Sequence, residues 1–128
     1  MNYKTTKNYL LNKPEAIECY PFGSEVTVFK VKSRMFALLF MKNDVASVNL
    51  KCEPYKAAAL RDVFDAVIPG YHMNKLHWNT VILDAGIPAV EIREMIDHSY
   101  ARVVKGLKKI EKDALILAYG EAEIYKAL

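Results

Sequence analysis

Residues 25–52 read EVTVFKVKSRMFALLFMKNDVASVNLKC, and the fold turns on how this stretch divides. Glu25 to Val31 is rich in β-branched and aromatic residues, and Met35 to Met41 is apolar throughout. Ser47 to Cys52 alternates, with Val48, Leu50 and Cys52 on one face and Asn49 and Lys51 on the other. These are the marks of three strands. Lys32-Ser33-Arg34 is short enough to join the first two as a hairpin, and Asn43-Asp44 supplies turn chemistry before the third. The alternation predicts an antiparallel meander with one covered side.

Outward from the meander the period changes to that of a helix. Upstream, Tyr3 to Asn12 places Tyr3, Lys7, Leu10 and Leu11 at helical spacing and stops at Pro14. Downstream, Pro54 opens a segment whose apolar stripe of Leu60, Val63, Phe64, Val67 and Ile68 runs to Pro69-Gly70. Tyr71 to Leu83 reads as extended chain, either a hairpin or a loop followed by a strand. A second proline-opened helix runs from Pro88 to about Leu107, with Ile92, Ile96, Ser99, Tyr100, Val103 and Leu107 on one face. The last twenty residues keep a helical pattern broken at Gly120, extending the helical layer or packing on a neighbouring subunit. The sum is a two-layer α+β domain in the order α-β-β-β-α-β-α, with helices on one face of an antiparallel sheet.

Composition sets the bounds. A chain of 128 residues, 52% hydrophobic and 26% charged, makes one domain that buries roughly two-thirds of its unfolded surface without disulfides. Cys19 and Cys52 read as reduced residues of an intracellular protein. The longest apolar run, Met35 to Met41, falls far short of the ~20 residues of a membrane span, and the N-terminus has no signal-like stretch. The expected compartment is cytoplasmic. Net charge is +3, and the last eighteen residues hold four acidic against two basic side chains, which leaves +5 on residues 1–110. That excess permits weak attraction to polyanions.

Several blocks together resemble the MmcQ/YjbR family: Tyr20-Pro21-Phe22-Gly23, Val28-Phe29-Lys30-Val31, Met35-Phe36-Ala37-Leu38 and Val48-Asn49-Leu50-Lys51-Cys52. The longest is Pro69-Gly70-Tyr71-His72-Met73-Asn74-Lys75-Leu76-His77-Trp78-Asn79-Thr80-Val81, followed by Leu83-Asp84 and Ile96-Asp97-His98-Ser99-Tyr100. The resemblance covers about residues 1–110 and leaves 111–128 as a C-terminal helical extension. It implies a frataxin-type (CyaY-like, double-wing) two-layer fold and a DNA-binding role. It also implies a departure: where relatives often place an aspartate before the second helix, this chain has Glu53, expected to cap less well.

The densest polar segment is Tyr71 to Thr80. Trp78 beside Lys75, His77, Asn74 and Asn79 can stack on a base or sugar, meet a phosphate and read polar edges. The bland reading makes Tyr71, Met73 and Trp78 core, with Asn74 and Asn79 bonding the backbone of a tight connection. Asn49 and Lys51 form a second polar surface beside this segment if it joins the same sheet. Lys30, Lys32 and Arg34 resemble a wing tip reaching phosphate, or a solvated hairpin. Arg102, Lys105, Lys109 and Lys112 recur as one basic stripe. No catalytic or metal motif is present: His72 and His77 are five apart, Cys-x-x-Cys is absent, and Asp97 and His98 are adjacent and so point apart. Iron binding by analogy with the frataxin-type fold is rejected because the first helix has no acidic residue. The expectation is a non-catalytic domain without cofactor or metal, monomeric or weakly dimeric, that binds DNA weakly and salt-sensitively and touches no membrane. The alternative is a small-ligand or protein-interaction pocket between Asn49, Lys51, Lys75, His77 and Trp78.

Overall fold

A computed structural model of the chain describes residues 1–128 as α1 (Tyr3–Leu11), β1 (Ile17–Cys19), β2 (Val26–Val31), β3 (Arg34–Lys42), β4 (Val45–Lys51), α2 (Pro54–Val63), β5 (Val67–Pro69), β6 (Trp78–Ile82), α3 (Ala89–Lys105), α4 (Lys109–Tyr119) and α5 (Glu121–Ile124). The strands form one antiparallel sheet in the order β1-β2-β3-β4-β6-β5. The expected meander is its centre. Its two connections are two-residue turns with positive φ at both positions, Lys32 (48°) and Ser33 (70°), then Asn43 (52°) and Asp44 (64°). That backbone matches the right-handed twist of the strands.

Three elements depart from the sequence expectation. Val67 and Ile68 continue the helical stripe of α2 on paper, yet Phe64 adopts φ −118° and ψ 118° and ends the helix. The two β-branched residues then pair with β6, Val67 opposite Val81 and Ile68 opposite Thr80. Strand β1, absent from the expected order, is three residues at the sheet edge, held by pairing Ile17 to Lys30 and Cys19 to Val28. The basic stripe is also divided, because α3 stops at Gly106 and α4 begins at Lys109. Lys109 turns to Asp113 at 2.6 Å, and Lys112 caps the Lys105 carbonyl at 3.4 Å.

One face of the sheet carries the helices. A 22-residue core spans Phe29, Leu39, Val48 and Val81 of the strands, Ile92, Ile96, Tyr100 and Val104 of α3, and Leu10 of α1. Leu115 of α4 and Ile124 of α5 belong to the same core, so residues 111–128 pack with the rest of the chain. A β-bulge shapes this face: Phe29 opposes Ala37 and Lys30 opposes Met35, leaving Phe36 unpaired and turned inward beside Ala37. The freed carbonyl of Phe36 accepts the Ser99 hydroxyl at 2.6 Å, and that hydroxyl accepts the Lys51 N–H at 2.8 Å. Ser99, a polar residue on an apolar helix face, is thereby the stitch between α3, β3 and β4.

Helix ends follow local chemistry. The Asn2 side chain accepts the Thr5 N–H and the Thr5 hydroxyl accepts the Asn2 N–H, a reciprocal cap on α1. Glu53, expected to cap poorly, accepts from both Tyr55 N–H (3.1 Å) and Lys56 N–H (2.9 Å). Its longer side chain sets one oxygen on each donor. Those two bonds hold its carboxyl below the usual carboxylate range.

Candidate functional site

Strand alternation decides what each expected site residue can reach. Asn49 lies in a row that crosses the sheet as Val28, Leu38, Asn49, Thr80 and Ile68. Lys51 and Trp78 are paired and share that face, opposite the helices. Asn79 faces the other way. It is buried against α2, where it accepts from Arg61 Nη1 at 2.7 Å and donates to the Ala57 carbonyl at 3.2 Å. Asn79 therefore fastens a helix and shares no surface with Asn49.

Trp78 is 9% exposed and packs with Val28 and Leu38 in a second, smaller cluster on the helix-free face. Asn74 organises its own loop, accepting the N–H groups of Leu76 (2.9 Å) and His77 (3.3 Å) through its side-chain oxygen. The Lys75 ammonium donates to the Gly70 carbonyl at 2.8 Å. The half-buried His77 is pinned through its backbone carbonyl, which accepts the Cys52 N–H at 2.8 Å. Gly70 admits no side chain here, since a Cβ would lie 2.8 Å from Trp78 Cβ. The cluster expected to form one stacking platform is thus divided among a buried tryptophan, loop bonds and the opposite sheet face. At the first hairpin, Lys32 pairs with Glu15 at 3.0 Å, whereas Lys30 is half-buried on the helix-free face and Arg34 is exposed.

What the same segments build instead is a cleft. Asn49 donates to the Tyr71 carbonyl at 3.0 Å and accepts the Thr80 hydroxyl, which in turn accepts the Tyr71 N–H at 2.8 Å. This buried pair fixes the start of the 71–77 loop, and His72 follows with φ 59°. Tyr71 is laid across the sheet, its ring stacked on Phe40 at 6.0 Å and 30°, with Lys42 Nζ 3.8 Å from the ring centre and the His72 ring at 4.0 Å. On one side of Tyr71 a cleft of about 260 Å³ is lined by Phe22, Val26, Leu38, Phe40 and Met73, with Asn49 and His72 as its polar groups. On the other side a hollow of about 330 Å³ is lined by Lys42, Asn43, Ser47 and Thr80 with Val45, Ile68 and Ile82. Of the expected site residues only Asn49 lines the cleft. Phe22, Phe40 and Tyr71 were legible as aromatic residues, but nothing in the spacing placed them together.

Charge on this face has one sign. The strand residues that share it include Lys30, Lys42 and Lys51 and no carboxylate. Partial burial, then Arg102 and Arg34, push the Lys51 ammonium below its ordinary value.

The titratable groups on the helical side are committed to structure. Asp97 accepts Lys13 Nζ at 2.9 Å and the Tyr9 hydroxyl at 2.8 Å, all within the packing of α1 on α3. Burial, then the bond to Asp97, raises the Tyr9 phenol above its ordinary range. His98 accepts the Glu53 N–H on Nε2 at 3.1 Å, which leaves Nδ1 to donate to the Ala127 carbonyl at 2.8 Å. Burial lowers its pKa. The Cys52 thiol is buried and pushed up to about 11, so it is no nucleophile at neutral pH. No three His, Cys, Asp or Glu side chains converge in a metal-binding group, and no helix is long and apolar enough to cross a membrane.

Comparison with known proteins agrees with the architecture. The chain is 36% identical over 107 residues to the protein YbdF of Escherichia coli O157:H7, covering 84% of this chain and 88% of that one. It is 32% identical over 108 residues to YjbR of Escherichia coli K12, covering 84% and 92%. Among solved structures, the Deinococcus radiodurans protein DR2400, described by a DUF419 domain, superposes with a TM-score of 0.82 at 37% identity over 89% of this chain and 87% of its own. A Pseudomonas syringae protein superposes with a TM-score of 0.72 at 28% identity over 80% and 99%. A family model described as YjbR matches residues 11–102, and the chain belongs to the YjbR family.

Proposed function

We propose that this protein is a non-catalytic binding module whose ligand, a small molecule with an apolar body, sits on the helix-free face of the sheet. The observation that carries this reading is the cleft beside Tyr71, a concave, mainly apolar site with a few fixed polar groups. The commitment of Asp97, His98 and Cys52 to packing supports binding over catalysis.

A thermal-shift screen of metabolites tests the reading, followed by amide shift mapping of any hit. Ligands are expected to raise the melting temperature, as binding to the folded state alone must, and to perturb Phe22, Val26, Leu38, Asn49 and Tyr71–Met73. Hits that map to the helical side, or none across a broad library, overturn it. A second reading, nucleic acid on the same face, is favoured by Lys30, Lys42 and Lys51 and by the +5 charge of residues 1–110. Anisotropy with duplex DNA across a salt series tests it. Four engaged phosphates give a slope near about −3.6 in log affinity against log salt. Flat or absent binding at low salt removes it.

A further inference from the structure

The two hollows flanking Tyr71 differ in chemistry, and the difference specifies a ligand. The first is walled by apolar side chains, with Phe22 62% exposed at its mouth. Of its two polar residues, Asn49 has both amide groups already bonded to Tyr71 and Thr80, and His72 lies with its ring 4.0 Å from that of Tyr71. The second gathers three polar side chains that make no hydrogen bond or ion pair within the protein, the solvent-exposed Lys42 ammonium and Asn43 amide and the Ser47 hydroxyl. The Lys42 ammonium lies 3.8 Å from the centre of the Tyr71 ring. Asp44, the nearest carboxylate in sequence, makes no bridge to it. A cation resting on an aromatic face, beside an amide and a hydroxyl in the same hollow, has the chemistry to receive an anionic group.

We infer that the cleft takes a planar aromatic molecule bearing one anionic group, its rings between Phe22 and Phe40 and its charge at Lys42, Asn43 and Ser47. This deepens the small-ligand reading above and rests on it. A planar body suits the wall: Phe40 and Tyr71 border both hollows, their ring centres 6.0 Å apart and their planes inclined by 30°. The ligand runs past Tyr71, and its charge replaces the ring as the partner of Lys42.

A matched pair of probes tests this. 8-Anilinonaphthalene-1-sulfonate and N-phenyl-1-naphthylamine share their ring system and differ in the sulfonate, and both fluoresce in apolar sites. The sulfonate is expected to bind one per chain and at least about tenfold tighter than the neutral amine, as one charge-assisted contact implies. Lys42→Gln, an exposed change checked by an unaltered melting curve, is expected to weaken the sulfonate about tenfold and leave the amine unchanged. Val26→Trp, which fills the first hollow from its rim, is expected to remove both. Decanoate, charged but without rings, is expected to displace the sulfonate far less well than 2-naphthalenesulfonate does. Equal binding of the two dyes, or a Lys42→Gln protein that holds both as before, overturns the anionic end while the cleft reading stands. Better displacement by decanoate overturns the planar body. Binding of neither dye, or of both unchanged in Val26→Trp, overturns the cleft itself.

Discussion

The two faces of this sheet use burial differently. On the helical side most polar groups that the helices cover are met by a partner fixed at another element, as Ser99 is by Phe36 and Lys51, or Asp97 by Lys13 and Tyr9, with the Thr6 hydroxyl and the Arg102 Nε as the exceptions. On the helix-free side the cover consists of residues around Phe22 and the 71–77 loop. The buried cluster there is three residues, and a lysine is left on an aromatic ring with no carboxylate. Helices bring enough surface to close a core, whereas two short loops close half of one and leave a cleft. The opened side is where a ligand can add contacts that the chain does not make for itself.

The sharpest way to break this comparison is at Asp97. Its replacement by alanine leaves the Lys13 ammonium buried without a counter-charge, and about 3–5 kcal/mol of stability is expected to disappear in urea denaturation. A loss below about 1 kcal/mol would mean that the α1–α3 junction is looser than its geometry. Next is Trp78→Ala, expected to cost about 3 kcal/mol, toward the lower end for a large aromatic because the loops over it can settle into the space. If it costs as much as truncating Phe36, the two faces are equally closed. Asn49→Ala is a finer probe. It strands the Thr80 hydroxyl and the Tyr71 carbonyl, costs about 1–3 kcal/mol, and is expected to speed amide exchange across 71–77 while α3 stays protected. Uniform exchange would show that the loop is not an independent cover.

The smallest expected effect is in pH. Burial holds the His98 pKa below the free value of 6.5, so the neutral ring's contribution is full above that pH and is lost as pH falls through and below it. Comparing urea midpoints at pH 7.5 and 5.5, His98→Gln is expected to flatten part of the wild-type decline. Parallel declines would place the loss elsewhere.

Much of the architecture was legible in residues alone. Alternation in Ser47–Cys52, apolar content in Met35–Met41 and proline at the head of α2 each fix a local conformation by sterics or period, and none needs a distant partner. Val67 and Ile68 show where that ends: their spacing fits a helical stripe and their branching fits a strand, and only pairing with Thr80 and Val81 selects one. Strand β1 is the same case, since three residues carry too little pattern to announce an edge. At the site, Asn49 was visible as a polar residue on an apolar strand. The expected platform of Asn74, Lys75, His77, Trp78 and Asn79 failed because neighbours along a strand point to opposite faces. Its loop members are meanwhile consumed by their own backbone bonds.

The sequence by itself determined an α+β fold, its central antiparallel meander and its family kinship, because period, turn chemistry and motif order are local properties of the chain. Tertiary structure alone decided that Tyr71 lies on Phe40, that Lys42 rests on the Tyr71 ring and that Trp78 is sealed beneath its loop. Those outcomes depend on which strands become neighbours and which face each one offers, and the energy that settles them comes from contacts between residues far apart in the sequence.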